Sequence, residues 1–110
     1  MTSTHRNTWK AFERKIAKDI GSERTPLSGG NSKHTRSDTL HPRLYIECKL
    51  SQKFTRDILD FEDDIKKAEI EKKIPIRVMR RKGKHGDFAM LQWDDLLFLM
   101  KIQGWVKGGF

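Results

Sequence analysis

The apolar residues near the start of the chain recur at the three- and four-residue spacing of an amphipathic helix. Trp9, Phe12, Ile16 and Ile20 share one stripe, and basic residues occupy the opposite side. Gly21 is a suitable stop for such a helix. The pattern therefore predicts a first helix over residues 9–20 with its apolar stripe against a core.

A second helical pattern begins at Thr55, which is placed to cap it. Ile58, Phe61, Ile65 and Ala68 form its apolar stripe. The charged residues between them are predicted mostly to face water, with acids early and bases late as the helix dipole prefers. They are Asp57, Asp60, Asp63, Lys66, Lys67, Glu71 and Lys72.

Short runs of β-branched and aromatic residues predict strands in two pairs. Residues 37–40 and 44–50 flank a proline and predict a first hairpin. Residues 74–79 and 88–93 flank a glycine-rich turn at 82–86 and predict a second hairpin.

The last predicted element is a short helix, which Asp94 or Asp95 can cap and which contains the apolar run 96–100. Trp93 fits a core position, and Trp105 is the aromatic residue expected to be exposed in a glycine-rich tail. Residues 24–36, between the first helix and the first hairpin, predict a short extended piece that enters a basic loop. Counting this piece as a strand, the elements follow the order αβββαββα. This order predicts an α/β domain of the α+β type, in which helices flank a central mixed β-sheet.

Length and composition limit the class of protein. The 110 residues, 35% hydrophobic and 35% charged, predict a single domain, 1–110, with a core at about 9–100 and flexible ends at 1–8 and 101–110. The longest apolar run is too short to span a membrane, and the N-terminus lacks the apolar core of a signal peptide. We therefore expect a soluble cytoplasmic protein that is not exported.

The charge balance points to a polyanionic partner. Lys and Arg number 23 against 15 Asp and Glu, which gives a formal net charge of +8. Nucleic acid is the first expectation and an anionic membrane surface the second. Basic residues in the predicted loop and turn are candidates for phosphate contacts, although such residues also simply keep a protein soluble. The DNA-binding candidates are Arg24, Lys33, His34, Arg36, Arg80, Arg81, Lys82 and Lys84.

The cysteine and histidine content restricts the kind of metal site. Cys48 is the single cysteine, which excludes an internal disulfide and a Cys-x-x-Cys zinc site. The four histidines show no metal-ligand pairing at helical spacing. A bound metal would therefore be held by oxygen ligands.

The strand at 44–50 offers such ligands. Strand residues alternate between faces, so Glu47 and Lys49 project from the same face. A hairpin brings Asp38 beside Glu47, and two adjacent carboxylates repel unless a cation lies between them. With the backbone carbonyl of Cys48 and water they would form an all-oxygen Mg²⁺ site. The alternative is an ordinary strand whose polar face is solvated.

A hard divalent ion in that position suits phosphodiester hydrolysis. It lowers the pKa of a bound water and stabilises charge on the phosphoryl oxygens. Lys49 would orient the attacking water or stabilise the developing charge. Glu13 lies within the apolar stripe of the first helix and would reach the metal directly or through water, unless it forms a structural pair with Lys10.

In chain order, Glu13, Arg24-Thr25-Pro26-Leu27-Ser28-Gly29, Ser37-Asp38 and Ile46-Glu47-Cys48-Lys49 resemble the PD-(D/E)XK nuclease superfamily. Within it, the similarity is to archaeal-type Holliday-junction resolvases and their small phage-encoded relatives. It covers about residues 9–99. Ser37 departs from the pattern, because the family's name expects proline there. The resemblance implies a restriction-endonuclease-like fold, Mg²⁺-dependent hydrolysis of DNA with Mn²⁺ as a substitute, and a homodimer with two active sites.

The resemblance also implies a role for each matched residue. Asp38 and Glu47 correspond to the metal ligands, Lys49 to the catalytic lysine, Glu13 to the helix-borne acid and Ser28 to the loop hydroxyl near the scissile phosphate. No membrane and no small-molecule cofactor beyond the divalent metal is expected. The protein would act near the nucleoid, or in a host cell if a phage encodes it.

Three functions are consistent with these residues. The first is a structure-selective endonuclease that resolves four-way junctions in DNA recombination and repair. The second is a sequence-specific enzyme of restriction or homing type with the same chemistry, which reads a groove of duplex DNA. The third is a DNA-binding module whose acids are structural.

Overall fold

The computed structural model describes residues 2–26, 35–81, 83 and 85–106, with side chains from Thr8 onward. Residues 1 and 107–110, at the predicted flexible ends, lie outside the described residues. The coarse fold class is confirmed: the chain is a small α+β domain with a mixed sheet. Its elements are α1 (Thr2–Asp19), β1 (Leu44–Ser51), α2 (Thr55–Glu71), β2 (Ile74–Arg81), β3 (Asp87–Met90) and α3 (Trp93–Ile102).

The three strands form one sheet in the order β1-β2-β3. β1 runs parallel to β2, with Glu47 opposite Arg77, and α2 supplies the crossover that a parallel pair requires. β2 and β3 form the second predicted hairpin, with Arg80 opposite Asp87. β3 ends at Met90, earlier than the predicted strand end at residue 93.

The first predicted hairpin is only partly formed. Residues 37–40 contribute an isolated bridge between Thr39 and Arg24 rather than a strand, so the described residues follow the order αβαββα. Side chains replace the ladder: Ser37 Oγ accepts a hydrogen bond from the amide of Ile46 and donates one to its carbonyl. The amide of Cys48 likewise donates a hydrogen bond to a side chain, the carboxylate of Asp38.

One face of the sheet packs against α1. Phe12 and Ile16 of this helix contact Ile46, Cys48 and Val78 in a buried cluster. The apolar stripe predicted for the first helix is therefore confirmed, although the helix begins at Thr2 rather than residue 9. The alternation predicted for β1 places the side chains of residues 46 and 48 in this core, and residue 47 faces the opposite side of the sheet.

The other face of the sheet packs against α2, and here the predicted stripe is confirmed at Phe61 and Ala68 but wrong at Ile58. The buried residues of α2 are Asp57, Phe61, Asp64 and Ala68, whereas Ile58 is 59% exposed. Asp57 was predicted to face water but is buried. The cause lies on β2, where a buried arginine requires negative partners.

Arg77 is that arginine, and it joins β2 to α2 inside the domain. Its Nε lies 2.8 Å from Asp57 Oδ1, and its Nη1 lies 2.7 Å from Asp64 Oδ2. Ser51 Oγ donates a 2.7 Å hydrogen bond to the other oxygen of Asp57. The hydrogen bonds satisfy both carboxylates, which compensates the cost of burying these charges.

α3 lies at the surface. None of its ten residues, all within the described part of the chain, is buried. Trp93 begins the helix and is 64% exposed, so its predicted core position is wrong. No described helix has the length and apolar character needed to cross a bilayer.

Candidate functional site

Asp38 lies along the outer edge of β1 and is fixed there by backbone groups. Its amide donates a 2.8 Å hydrogen bond to the carbonyl of Ile46, and its Oδ2 accepts a 2.7 Å hydrogen bond from the amide of Cys48. Thr25 donates its own amide to the carbonyl of Asp38 at 3.0 Å. These bonds hold the carboxylate next to the strand that carries Glu47.

The environment of Asp38 disfavours its charged form. Its pKa is raised to about 8, mainly by burial and in addition by the negative charges of Glu47 and Glu13, whereas the hydrogen bond from Cys48 acts to lower it. The structure therefore shows Asp38 beside β1, where the charge of Glu47 acts on it.

The environment of Glu47 also disfavours its charged form. Its pKa is raised to about 7, mainly by burial and in addition by the negative charge of Asp64. The cations of Arg77, Lys67 and Lys49 lower it. Carboxyl groups whose pKa values are raised into the neutral range are typical of functional sites.

Glu13 reaches the same region from α1. It is only 2% exposed, and Arg24 Nε lies 2.6 Å from its Oε1. The structure thus shows Arg24 as the partner of Glu13, in place of Lys10, the structural partner that the sequence predicts as the alternative. Arg24 is therefore engaged with a buried acid, and the pair attaches the segment after α1 to the site. The negative charge of Glu13 also acts to raise the pKa of Asp38.

A second set of contacts, made by Glu71, holds the segment that leads into Asp38. The carboxylate of Glu71 accepts hydrogen bonds from Thr35 Oγ1 and, at 3.1 Å, from the amide of Arg36, and it pairs with Lys73 at 3.0 Å. Thr35 Oγ1 in turn accepts a hydrogen bond from the amide of Ser37. Burial acts to raise the pKa of Glu71, but these donors lower it overall.

The predicted cations differ in their surroundings. Arg36 and Arg81 are exposed, and Lys49 is exposed on the strand after Glu47. Arg80 pairs with Asp87 at 2.7 Å and stacks over the ring of Phe12. Five candidates lie outside the described residues, namely Ser28, Lys33, His34, Lys82 and Lys84.

Sequence reasoning missed several residues around Glu47. Asp64 and Lys67 act on its pKa from α2, and Arg77 does so from the next strand. The signal was present in the periodicity, because Asp57 and Asp64 share a stripe with Phe61 and Ala68. The hydroxyl of Tyr45, on the same strand face, is buried without a hydrogen-bond partner among the described residues.

The acids form a limited ligand set. Within the described ranges, no group of three or more His, Cys, Asp or Glu side chains is arranged to hold a metal ion. The predicted ligand at Cys48 is its backbone carbonyl, whereas the contact that the structure shows is the hydrogen bond from the Cys48 amide to Asp38. Asp38 and Glu47 provide two carboxylates, which suits Mg²⁺, because this ion commonly uses one or two carboxylates and keeps several waters.

Comparison of the chain with family models, curated proteins and solved structures found no match in any of the three. The chemistry of the site is therefore inferred from the residues of this chain alone.

Proposed function

We propose that this protein is a divalent-metal-dependent DNA endonuclease of restriction-endonuclease-like fold, with four-way junctions as its favoured substrate. The observation that carries the proposal is the position of Asp38 beside the strand that carries Glu47. Both are largely buried, both have raised pKa values, and the negative charge of Glu47 acts to raise the pKa of Asp38. Such a pair is costly in the metal-free protein, and a cation between the two carboxylates would remove the cost.

Asp38 and Glu47 are the residues that would hold the metal, Mg²⁺ or in its place Mn²⁺. When bound, the metal would supply a water of lowered pKa and stabilise negative charge on a phosphodiester. The backbone amide of Cys48 orients Asp38, so this carboxylate keeps its position whether or not it is charged. Pre-organisation of this kind favours a catalytic over a merely solvated acid.

Lys49 is placed to act on the substrate. It lies two residues after Glu47 on the same strand face, and it is exposed. Its ammonium group would orient the attacking water or bind a phosphoryl oxygen as a point charge. Glu13 is already paired with Arg24, so its role in the proposal is to position Asp38 rather than to carry a proton.

Binding of DNA is supported by the charge of the chain. The net charge of +8 favours a polyanion, and Arg36 and Arg81 are exposed for phosphate contacts. Phosphate contacts carry no direct sequence information, so a small domain that relies on them selects DNA by shape. A two-fold dimer would provide the two nicks that resolve a junction, so the role that we propose is in DNA recombination and repair.

The experiment is Mg²⁺-dependent cleavage of an immobile four-way junction and of its component linear duplexes. The wild-type protein is compared with Glu47→Gln and with Glu62→Gln, an exposed glutamate of α2 that serves as the matched control. Paired nicks in the junction alone, lost in Glu47→Gln and kept in Glu62→Gln, are expected.

Two other outcomes would contradict the proposal in different ways. Cleavage of a linear duplex at one defined sequence would show a restriction or homing type of enzyme with the same chemistry. Tight DNA binding without cleavage of either substrate, in Mg²⁺ and in Mn²⁺, would show a DNA-binding module with structural acids.

A further inference from the structure

Phe88 lies in the same row of side chains as Lys49. In the register of the sheet, Lys49 of β1 is opposite Met79 of β2, and Met79 is opposite Phe88 of β3. Residues that lie opposite one another project from the same face of a sheet, so the three side chains form one row across the three strands. Two strand spacings separate Lys49 from Phe88, which is a distance on the order of 10 Å between their backbones.

The ring of Phe88 is held by a second aromatic residue and is still accessible. Its centroid lies 5.6 Å from that of Phe54, and the two ring planes are inclined by 61°. An edge-to-face contact of this kind covers at most one face of each ring. Phe88 is 53% exposed, whereas Met79 beside it in the row is buried. An aromatic surface is therefore open to solvent next to a partner that limits its movement.

The apolar surface continues into the first turn of α2. The amide of Ile58 donates a 3.1 Å hydrogen bond to the carbonyl of Phe54, which places the two residues one helical turn apart. Ile58 is exposed, although the periodicity of the helix predicts it in the core. Phe88, Phe54 and Ile58 thus follow one another as exposed or half-buried apolar side chains, and such patches commonly mark an interaction surface.

Three exposed cations adjoin this apolar surface and indicate which partner fits it. Lys49 ends the row that contains Phe88, Lys53 directly precedes Phe54 in the chain, and Arg81 follows Met79 by two residues on the same side of β2. An aromatic ring flanked by cations is suited to nucleic acid with unpaired bases, because a base stacks on the ring while the cations contact phosphates. An apolar peptide would fit the rings but leave the three cations without partners.

We propose that Phe88 is a stacking platform for an unpaired DNA base, next to the strand that carries Glu47 and Lys49. The base would stack on the open face of the ring, and Lys49, Lys53 and Arg81 would contact the adjoining phosphates. This assignment rests on the proposed function, since DNA is taken as the polyanion, and it adds the feature of DNA that the domain selects. The bases of a duplex are stacked inside it, so the platform selects DNA with an unpaired base, as at a branch point or a flap.

Equilibrium binding of the full chain to two DNAs tests the platform. One is a fluorescently labelled duplex with a single unpaired adenine, and the other is the same duplex fully paired. Both are measured by fluorescence anisotropy in EDTA, so that no metal-dependent cleavage occurs. The wild-type protein is expected to bind the DNA with the unpaired base at least about fivefold more tightly. Phe88→Leu is expected to abolish this preference and to leave the affinity for the paired duplex unchanged.

Two further variants separate stacking from an effect on the fold. Phe88→Tyr keeps the aromatic ring and is expected to keep the preference, whereas Phe88→Leu keeps only apolar bulk. Ile70→Ala is the matched control and is expected to change neither affinity, because Ile70 is 83% exposed and lies near the opposite end of α2 from Phe54. Circular dichroism of each variant verifies that the domain is folded. With 2-aminopurine as the unpaired base, the wild type and Phe88→Tyr are expected to quench its fluorescence through stacking, and Phe88→Leu to quench it less.

Three results would overturn the platform. They are equal affinity of the wild type for the two DNAs, a preference that survives in Phe88→Leu, and an absence of DNA binding, which would leave the apolar surface for a protein partner. The cleavage assay separates this outcome from that of the proposed function. A preference that depends on the ring of Phe88, in a protein that cleaves no DNA, would support the platform and contradict the endonuclease. Cleavage by a protein without the preference would do the reverse.

Discussion

The amide of Cys48 donates a 2.7 Å hydrogen bond to Asp38 Oδ2, which attaches this acid to the strand that carries Glu47. A backbone amide would ordinarily bond a neighbouring strand. Here it bonds a carboxylate, which fixes an acid of raised pKa within the range of a second one. The four predictions that follow test this arrangement and the contacts that hold it.

The stability of the metal-free protein is expected to fall as pH rises from about 5 to about 8. Asp38 has a pKa of about 8 in the folded protein, against an ordinary value of 3.8. Between these values the folded state binds a proton that the unfolded state has lost, so stability declines with pH by at most about 1.4 kcal/mol per pH unit for each such group. Urea unfolding at several pH values measures the slope. A slope of opposite sign across this window would contradict the raised pKa.

Replacement of Asp38 by Asn is expected to stabilise the metal-free protein at pH 8 and to remove the stabilisation that Mg²⁺ or Mn²⁺ gives to the wild type. The amide has nearly the same shape and its oxygen can still accept the hydrogen bond from Cys48, but it carries no charge to repel Glu47 or to bind a metal. Thermal unfolding with and without metal measures both effects. The matched control is Asp63→Asn on the exposed side of α2. Equal stabilisation of wild type and Asp38→Asn by metal would place the metal elsewhere.

Glu71→Gln is expected to loosen the segment that leads into Asp38. A neutral amide is a poorer acceptor for Thr35, the amide of Arg36 and Lys73, at a cost of about 1–3 kcal/mol for the buried groups left unsatisfied. Because these donors lower the pKa of Glu71, its contribution is present above its ordinary pKa and is lost as pH falls through the lowered value. Hydrogen exchange at the amides of Arg36 and Asp38 is expected to accelerate. Glu69→Gln, which alters an exposed residue of the same helix, should change neither measurement.

Asp57→Ala is expected to destabilise the domain by about 3–5 kcal/mol, because it leaves Arg77 buried without one of its two partners. Asp60→Ala is the control, since Asp60 is 3.8 Å from Arg77 and much more exposed. Chemical denaturation measures both variants. A loss of less than about 1 kcal/mol for Asp57→Ala would mean that Asp64 alone compensates the arginine.

The sequence was sufficient for the features that depend on local periodicity. The stripe of Phe12 and Ile16 predicts which face of α1 packs on the sheet, because helical spacing fixes the direction of side chains. The alternation in β1 separates Ile46 and Cys48 from Glu47 for the same reason. The position of Asp38 beside β1 also followed, because the proline-containing turn brings residues 37–40 alongside that strand.

Tertiary contacts decided what local patterns leave open. Asp57 and Asp64 are buried on α2 because Arg77 points at them from β2. Helical spacing shows that the two acids share a stripe, but only the arginine explains why this stripe is the buried one. Residues 37–40 are not a full strand because Ser37 and Asp38 use side chains to bond β1. The sequence by itself determined which residues have a core-facing direction. Only the folded chain decided which polar groups find partners there, because hydrogen bonds and ion pairs depend on distances between segments far apart in sequence.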